Sequence, residues 1–162
     1  MTQDVRGIAN FVLDNADREA IGISNLGLNK IIYFLHVAFL HRFQKPLVSA
    51  KIEAWDYGPV FREVYHQFKE CGRERITKRA SKIDVLSGNY RTVDYLLDEG
   101  DEHFLKEQCL LLLRIPAGKL VDLSHTEDGA WHQARYQNGR VNPGVEITND
   151  LILTANPKGS RH

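Results

Sequence analysis

The stretch Glu53-Ala54-Trp55-Asp56-Tyr57-Gly58-Pro59-Val60 tells more about the fold of this chain than any other segment. Gly58 permits a turn conformation that other residues avoid, and Pro59 has a φ angle suited to the first position of a helix. The next apolar residues have helical spacing: Val60, Phe61, Val64, Tyr65 and Phe68. The pattern predicts a short strand over 52–55, a sharp turn, and an amphipathic helix over 59–71 that Gly72 ends.

On the N-terminal side of this stretch the sequence predicts two helices. The first covers residues 4–18, and the second covers about 25–43 after a cap at Ser24 or Asn25. The second is apolar nearly all round, which is typical of a helix with neighbours on several sides. We expect it to be the buried central helix, with His36 as a buried, hydrogen-bonded imidazole.

On the C-terminal side the pattern is less regular at first. Short strands over 76–78 and 90–96 could form a hairpin through Ser87-Gly88-Asn89. Helices are predicted over 101–114, 116–123 and 127–136, followed by an extended Val145-Glu146-Ile147. The expected fold class is α+β, mainly α: a helical domain around a buried central helix with a small β element. We expect one domain over 1–154 and a frayed tail over 155–162.

The composition excludes several function classes. The chain has 162 residues, 43% of them hydrophobic and 26% charged, which is ordinary for a globular domain. Its 21 basic and 21 acidic residues leave no formal net charge, which argues against a nucleic-acid partner. The apolar run over 31–40 is too short for a membrane span of ~20 residues, and Cys71 and Cys109 have no metal or redox spacing. These features indicate a cytoplasmic protein with no membrane partner.

The search for catalytic motifs finds one weak constellation. His125, Glu127, Asp128 and His132 lie within eight residues and could hold a metal or relay a proton. A structural reading is favoured about four to one, because capping side chains and a packed Trp131 also explain the pattern. We therefore expect no catalytic residue, no metal and no cofactor, and keep a metal-dependent enzyme as the alternative of a different class.

Three segments in order along the chain carry a family resemblance. They are Leu28-Asn29-Lys30-Ile31-Ile32-Tyr33-Phe34, the stretch with Glu53, Trp55, Gly58 and Pro59, and Leu123-Ser124-His125-Thr126-Glu127 with Trp131 four residues on. Over about residues 5–135 the chain resembles the Panacea domain, the SocA/GepA-like antitoxin family of prokaryotic and phage proteins. Members often have Pro before the Trp, where this chain has Gly129-Ala130. We expect Lys30 to pair with Glu53, because both belong to the shared motifs.

The resemblance implies an antitoxin of a toxin–antitoxin pair, which binds a cognate toxin encoded by an adjacent gene. The alternative in the same class is an adaptor that delivers a client to an ATP-dependent protease. The candidate partner-binding residues lie on the outer side of the 59–71 helix and in the basic stretch beyond it: Tyr57, Arg62, His66, Arg73, Arg75, Lys78 and Arg79. The basic stretch over 69–82 could steer a charged protein or form a solvated loop, and it lacks the interleaved aromatics that stack nucleic-acid bases.

Overall fold

A computed structural model describes residues 2–136 and 144–155 of the chain. Its elements, in order, are α1 (Val5–Arg18), α2 (Asn25–Phe43), β1 (Ile52–Trp55), β2 (Gly58–Phe61), α3 (Arg62–Gln67), a 3-10 turn (Lys69–Cys71), β3 (Ser81–Ile83), β4 (Tyr90–Thr92), α4 (Glu99–Leu113), α5 (Ala117–Ser124), α6 (Ala130–Arg135), β5 (Val145–Glu146) and α7 (Asn149–Ala155). The predicted α+β, mainly α class is confirmed. Of the predicted tail, Ala155 ends α7, and residues 156–162 lie outside the described part.

Helix α2 is the centre of the molecule, as its all-round apolar sequence predicts. It packs against α1, α3, α4, α5, α7 and β2. The Ser24 hydroxyl caps its first turn by accepting from the amide of Gly27, and Gln44 ends it in the left-handed conformation. His36 is buried and its Nε2 lies 2.8 Å from Asn149 Oδ1 on α7, so the expectation for this imidazole is confirmed. One hydrophobic core contains residues from every helix.

The strands form two separate sheets. In the larger one the order is β2-β1-β5, and all neighbours are antiparallel. The smaller one is the hairpin β3–β4. The predicted hairpin through Ser87-Gly88-Asn89 is therefore present, but its first strand lies at 81–83 instead of 76–78. Ile76 lies outside the strands; its side chain is buried and its amide donates to the carbonyl of Ile23.

The helix predicted over 59–71 is wrong at its start. Residues 58–61 form β2, which pairs with β1 in the register Ile52↔Phe61 to Trp55↔Gly58, and α3 begins at Arg62. Because β2 is an edge strand, the missing N–H of Pro59 is tolerated there. The helix predicted over 101–114 is α4, which begins two residues earlier, after a cap at Asp98. Leu111 on that helix is exposed.

None of the helices within the described ranges has the length and apolar character that crossing a membrane requires.

Candidate functional site

The three sequence motifs meet at the β1–β2 hairpin. Gly58 begins β2 with φ +108°, which L side chains rarely adopt. A Cβ at this position would lie 2.6 Å from both the Lys30 Cε of α2 and the Ser124 Oγ of α5. Gly58 therefore lets the hairpin approach two helices at once, and one residue from each motif takes part in that contact.

Lys30 is completely buried beneath the hairpin. Its Nζ donates to the carbonyl oxygen of Pro59 at 2.8 Å, and burial lowers its pKa to about 7. Asn29, the preceding residue, accepts from the amide of Phe61 through Oδ1 at 2.9 Å. Two neighbouring polar side chains of α2 thus bond the backbone of β2 and fix this strand against the central helix. Tyr33, one turn on, is also buried, and burial raises the pKa of its hydroxyl.

The predicted pair between Lys30 and Glu53 is wrong. The Glu53 carboxylate accepts from Arg62 Nε at 3.0 Å, from Arg62 Nη2 at 2.9 Å and from Trp55 Nε1 at 3.0 Å. The hydrogen bond from Arg62 is the main cause that holds the Glu53 pKa below its usual value. Glu53 therefore bonds Arg62 and Trp55, whereas Lys30 bonds the backbone of Pro59.

The third motif contacts the backbone of β1. Trp131 Nε1 on α6 donates to the carbonyl oxygen of Trp55 at 2.8 Å, and the His125 ring stacks on Trp131 with centroids 3.8 Å apart. Arg135 donates to the carbonyl oxygen of Ala54 at 3.0 Å and also pairs with Asp56. Helix α6 is therefore tied to the end of β1 by two side chains, although the sequence has Gly129-Ala130 before the Trp.

His125 carries a buried polar atom that the described residues do not satisfy, its Nε2. Burial is the main cause that lowers the pKa of its imidazole, and the charge of Lys30 adds to the effect. A neutral ring stacked on Trp131 fits these surroundings, because burial disfavours the charged form.

A groove of about 550 Å³ opens on the solvent side of the hairpin. Its lining is mainly aromatic and aliphatic, with one ion pair: Leu26, Glu53, Trp55, Asp56, Tyr57, Val60, Arg62, Tyr65 and Gly144. Trp55 and Tyr65 contact each other with ring centroids 4.9 Å apart, and Tyr57 is 69% exposed at the rim. Tyr57 and Arg62 are the two candidate partner-binding residues that the structure brings together here.

The other candidates are dispersed. His66 is exposed next to Tyr65, while Arg73 and Arg75 line a different groove, between α2, α4 and α5. Arg79 is held by Asp14 and Asp17 of α1, so its guanidinium has a structural role as well. Lys78 is exposed. The seven residues thus do not form a single surface patch.

The metal-centre alternative receives no support from the geometry. Within the described residues, no group of three or more His, Cys, Asp and Glu side chains is placed to hold a metal ion. His125 faces Trp131, whereas His132 contacts Tyr136, with ring centroids 4.7 Å apart, and Glu127 is exposed. The residues His125, Glu127 and His132 are near in sequence but are not assembled into a ligand set.

Comparison with known proteins gives a consistent result for most of the chain. A family model described as "Antitoxin SocA-like, Panacea domain" matches residues 28–132, the span that holds all three motifs. The chain belongs to the SocA-like antitoxin family. "Antitoxin SocA" of Caulobacter vibrioides (strain NA1000 / CB15N) is 40% identical over 128 residues, which are 79% of this chain and 68% of that protein. No solved structure shows significant similarity. Membership in the SocA-like family supports an antitoxin role and, in general terms, a toxin as partner.

Several residues that shape the site could not be singled out from the sequence. Leu26, on the first turn of α2, reaches the groove from 27 residues before Glu53, and Arg135 reaches β1 from α6. Neither has a local signal, because each contact joins segments far apart in the chain. Tyr65 did have a signal, its apolar character, and it is half-buried at the groove.

Proposed function

We propose that this protein neutralises a cognate toxin by binding it directly, without catalysis of its own. The observation that carries the proposal is the groove on the β1–β2 hairpin, which is open to solvent and is lined in part by the motif stretch over 53–60. The toxin would be the product of an adjacent gene, and masking of its active surface would be sufficient for neutralisation.

The groove has the features of a protein-binding hot spot. Aromatic side chains and arginine are enriched at such spots, and they act best where a neighbouring pocket excludes water. Tyr57 offers an exposed ring in the turn between β1 and β2, and Trp55 and Tyr65 form the apolar wall. A partner side chain that enters the groove would therefore bury aromatic surface on both sides.

Arg62 adds polarity at a fixed position. Two of its nitrogens are occupied by Glu53, which holds the guanidinium against the groove although the side chain is 59% exposed. Because an arginine has five N–H donors, this arrangement leaves donors for a partner's carbonyl or carboxylate. The toxin segment that fits the groove is thus an apolar or aromatic residue with an acceptor close by.

The proposal is tested by co-expression of the adjacent gene product with this protein or with variants. The wild type should relieve the toxicity and co-purify with its partner in a one-to-one complex. Tyr57→Ala should weaken the complex by about tenfold or more, because a hot-spot aromatic contributes more than 1 kcal/mol. Tyr136→Ala, a half-exposed tyrosine at the end of α6, is the matched control and should bind as the wild type does. Equal binding by both variants would exclude the groove as the contact.

A further inference from the structure

The β3–β4 hairpin exposes an unusual amount of apolar surface. The described residues include ten large hydrophobic side chains that are exposed, and four of them lie in the hairpin, between positions 83 and 90: Ile83, Val85, Leu86 and Tyr90. Val85 is 91% exposed and Leu86 98%. Clustered exposed apolar side chains mark interaction sites in soluble proteins, whereas scattered ones do not.

The two faces of the hairpin differ sharply in charge. Ile83 is paired with Tyr90 across the strands, and Lys82 is paired with Arg91 on the opposite face. Lys82 and Arg91 line a groove with Asp4, Asp94, Asp98 and Asp101, so the basic face meets acids of the same chain. The charge of Lys82 is one of the causes that lower the pKa of Asp4. The hairpin therefore places its charged face along this groove, where Lys82 is half-buried and Arg91 is exposed, and leaves its uncharged face to solvent.

Amide side chains from two helices fix the base of the hairpin. Asn10 of α1 donates to the carbonyls of Ala80 and Val93 and accepts from the amide of Ala80. Gln67 of α3 likewise donates to the Ser81 carbonyl and accepts from the Ser81 amide. At the tip, the Asp84 side chain accepts from the amide of Leu86 at 3.0 Å. The apolar face is thus held in one shape before any partner arrives, which reduces the entropy lost on binding.

The outer edge of β4 is open. The amide of Val93 donates to the carbonyl of Ala80, and the amide of Asp84 donates to the carbonyl of Asn89. In an antiparallel ladder, such hydrogen-bonded pairs alternate with pairs whose backbone groups point away from the partner strand. Ser81↔Thr92 and Ile83↔Tyr90 are the outward-facing pairs. On β3 the Ser81 groups are covered by Gln67, but within the described residues nothing covers those of Tyr90 and Thr92 on β4. An open edge beside an apolar face is a template for one more strand.

We propose that the β3–β4 hairpin is a second docking element for the toxin, and that its occupant is an extended apolar segment of the toxin. This segment pairs with the backbone of Tyr90 and Thr92 and covers the exposed apolar side chains of Ile83, Leu86 and Tyr90. The inference rests on the proposed function, since it assumes that a toxin is bound directly. The absence of charge on the exposed face is what selects an apolar segment over nucleic acid or an acidic peptide, both of which require cations.

Two pairs of variants test the side-chain and backbone parts separately. Leu86→Ser should weaken the complex with the adjacent gene product by about tenfold or more, while Leu111→Ser should not, although Leu111 is also exposed, at 64%. Thr92→Pro removes an outward N–H, which an edge strand tolerates, and should weaken binding to a similar extent. Thr92→Ala keeps the N–H and should bind as the wild type does.

Hydrogen exchange of the wild-type complex gives a readout that needs no variant to fold. The amides of Tyr90 and Thr92 should exchange more slowly in the complex than in the free protein. If the wild type does not bind the adjacent gene product, the proposed function fails for that partner and the hairpin inference fails with it.

If the wild type binds, but the variants bind equally well and these amides are not protected, the hairpin inference alone is overturned. If the free protein is a dimer that Leu86→Ser converts to a monomer, the occupant is a second copy of this chain and the inference is likewise overturned. Light scattering of the free proteins decides this last point.

Discussion

At the scale of single residues, Gly58 decides whether the hairpin can reach the central helix. Gly58→Ala places a methyl group 2.6 Å from Lys30 Cε and Ser124 Oγ and forces a positive φ on a residue with a side chain. We expect the free energy of unfolding to fall by about 2–4 kcal/mol, measured by denaturant titration. Gly72→Ala is the control, because its φ is also positive, +58°, but no atom lies within 4 Å of an added Cβ. We expect the free energy of unfolding to fall by about 1 kcal/mol in this variant. Equal losses would show that backbone strain, and not the close approach, sets the cost.

Lys30 makes stability depend on pH. Its folded pKa of about 7 is below its ordinary value of 10.5, so between these values the unfolded chain binds a proton that the folded chain does not. Stability therefore rises with pH across this window, by up to about 1.4 kcal/mol per unit. Lys30→Met should remove the rise. The measurement is the difference in unfolding free energy between the two proteins at pH 7 and pH 9.

Taking this difference cancels the groups whose folded pKa is raised, Tyr33 and Cys109, because both proteins contain them. Their effect on the free energy of unfolding has the opposite sign. The protein loses stability as the pH rises from the ordinary pKa of each group toward its raised folded pKa. If wild type and Lys30→Met differ by the same amount at pH 7 and pH 9, the lysine is not titrating in the folded state.

These two residues also show what the sequence could predict. A turn next to Gly58 could be predicted from the residue types, because a Gly-Pro pair permits few backbone conformations other than turns. The partner of Lys30 did not follow, because a buried ammonium can bond either a carboxylate or a backbone carbonyl, and only the packed structure shows which is nearer. A pairing inferred from shared motif membership chose Glu53, whereas the lysine bonds the carbonyl of Pro59.

At the scale of elements, the main error was to assign residues 59–61 to the start of a helix, because they belong to β2. Their apolar residues are compatible with both a helix and a fully buried strand, since short apolar runs do not separate the two by periodicity. The pairing with β1 decides the matter, because it satisfies backbone groups of an otherwise isolated strand. The helices α1 and α2 were predicted well because their apolar spacing continues for more than three turns.

The β3–β4 hairpin offers an element-scale prediction. Asn10→Ala removes three hydrogen bonds to buried backbone groups of Ala80 and Val93. We expect a loss of about 2–4 kcal/mol in unfolding free energy and faster hydrogen exchange over residues 80–93. Asn15→Ala is the control, because this buried side chain donates only within its own helix, to the carbonyl of Phe11. A loss of protection spread over the whole chain would contradict a local anchoring role.

At the scale of the whole molecule, one core joins all the helices, and the surface offers two candidate contacts on different elements. The groove at Tyr57 was partly predictable, because it contains the residues of the family motif. The hairpin surface was not, because exposure of Ile83 and Tyr90 depends on which face of β3–β4 packs inward. Contacts between distant segments, such as Asn10 with Ala80, decide that orientation, and no local pattern encodes them.

The central claim is that neutralisation results from direct binding. The measurement that tests it most directly is growth of cells that express the adjacent toxin and this protein, with and without their ATP-dependent proteases, together with the amount of toxin recovered. The account predicts that rescue persists without the proteases and that the toxin accumulates in a one-to-one complex. Rescue that disappears with the proteases, while the toxin is otherwise depleted from the lysate, would contradict it and identify the protein as a proteolytic adaptor.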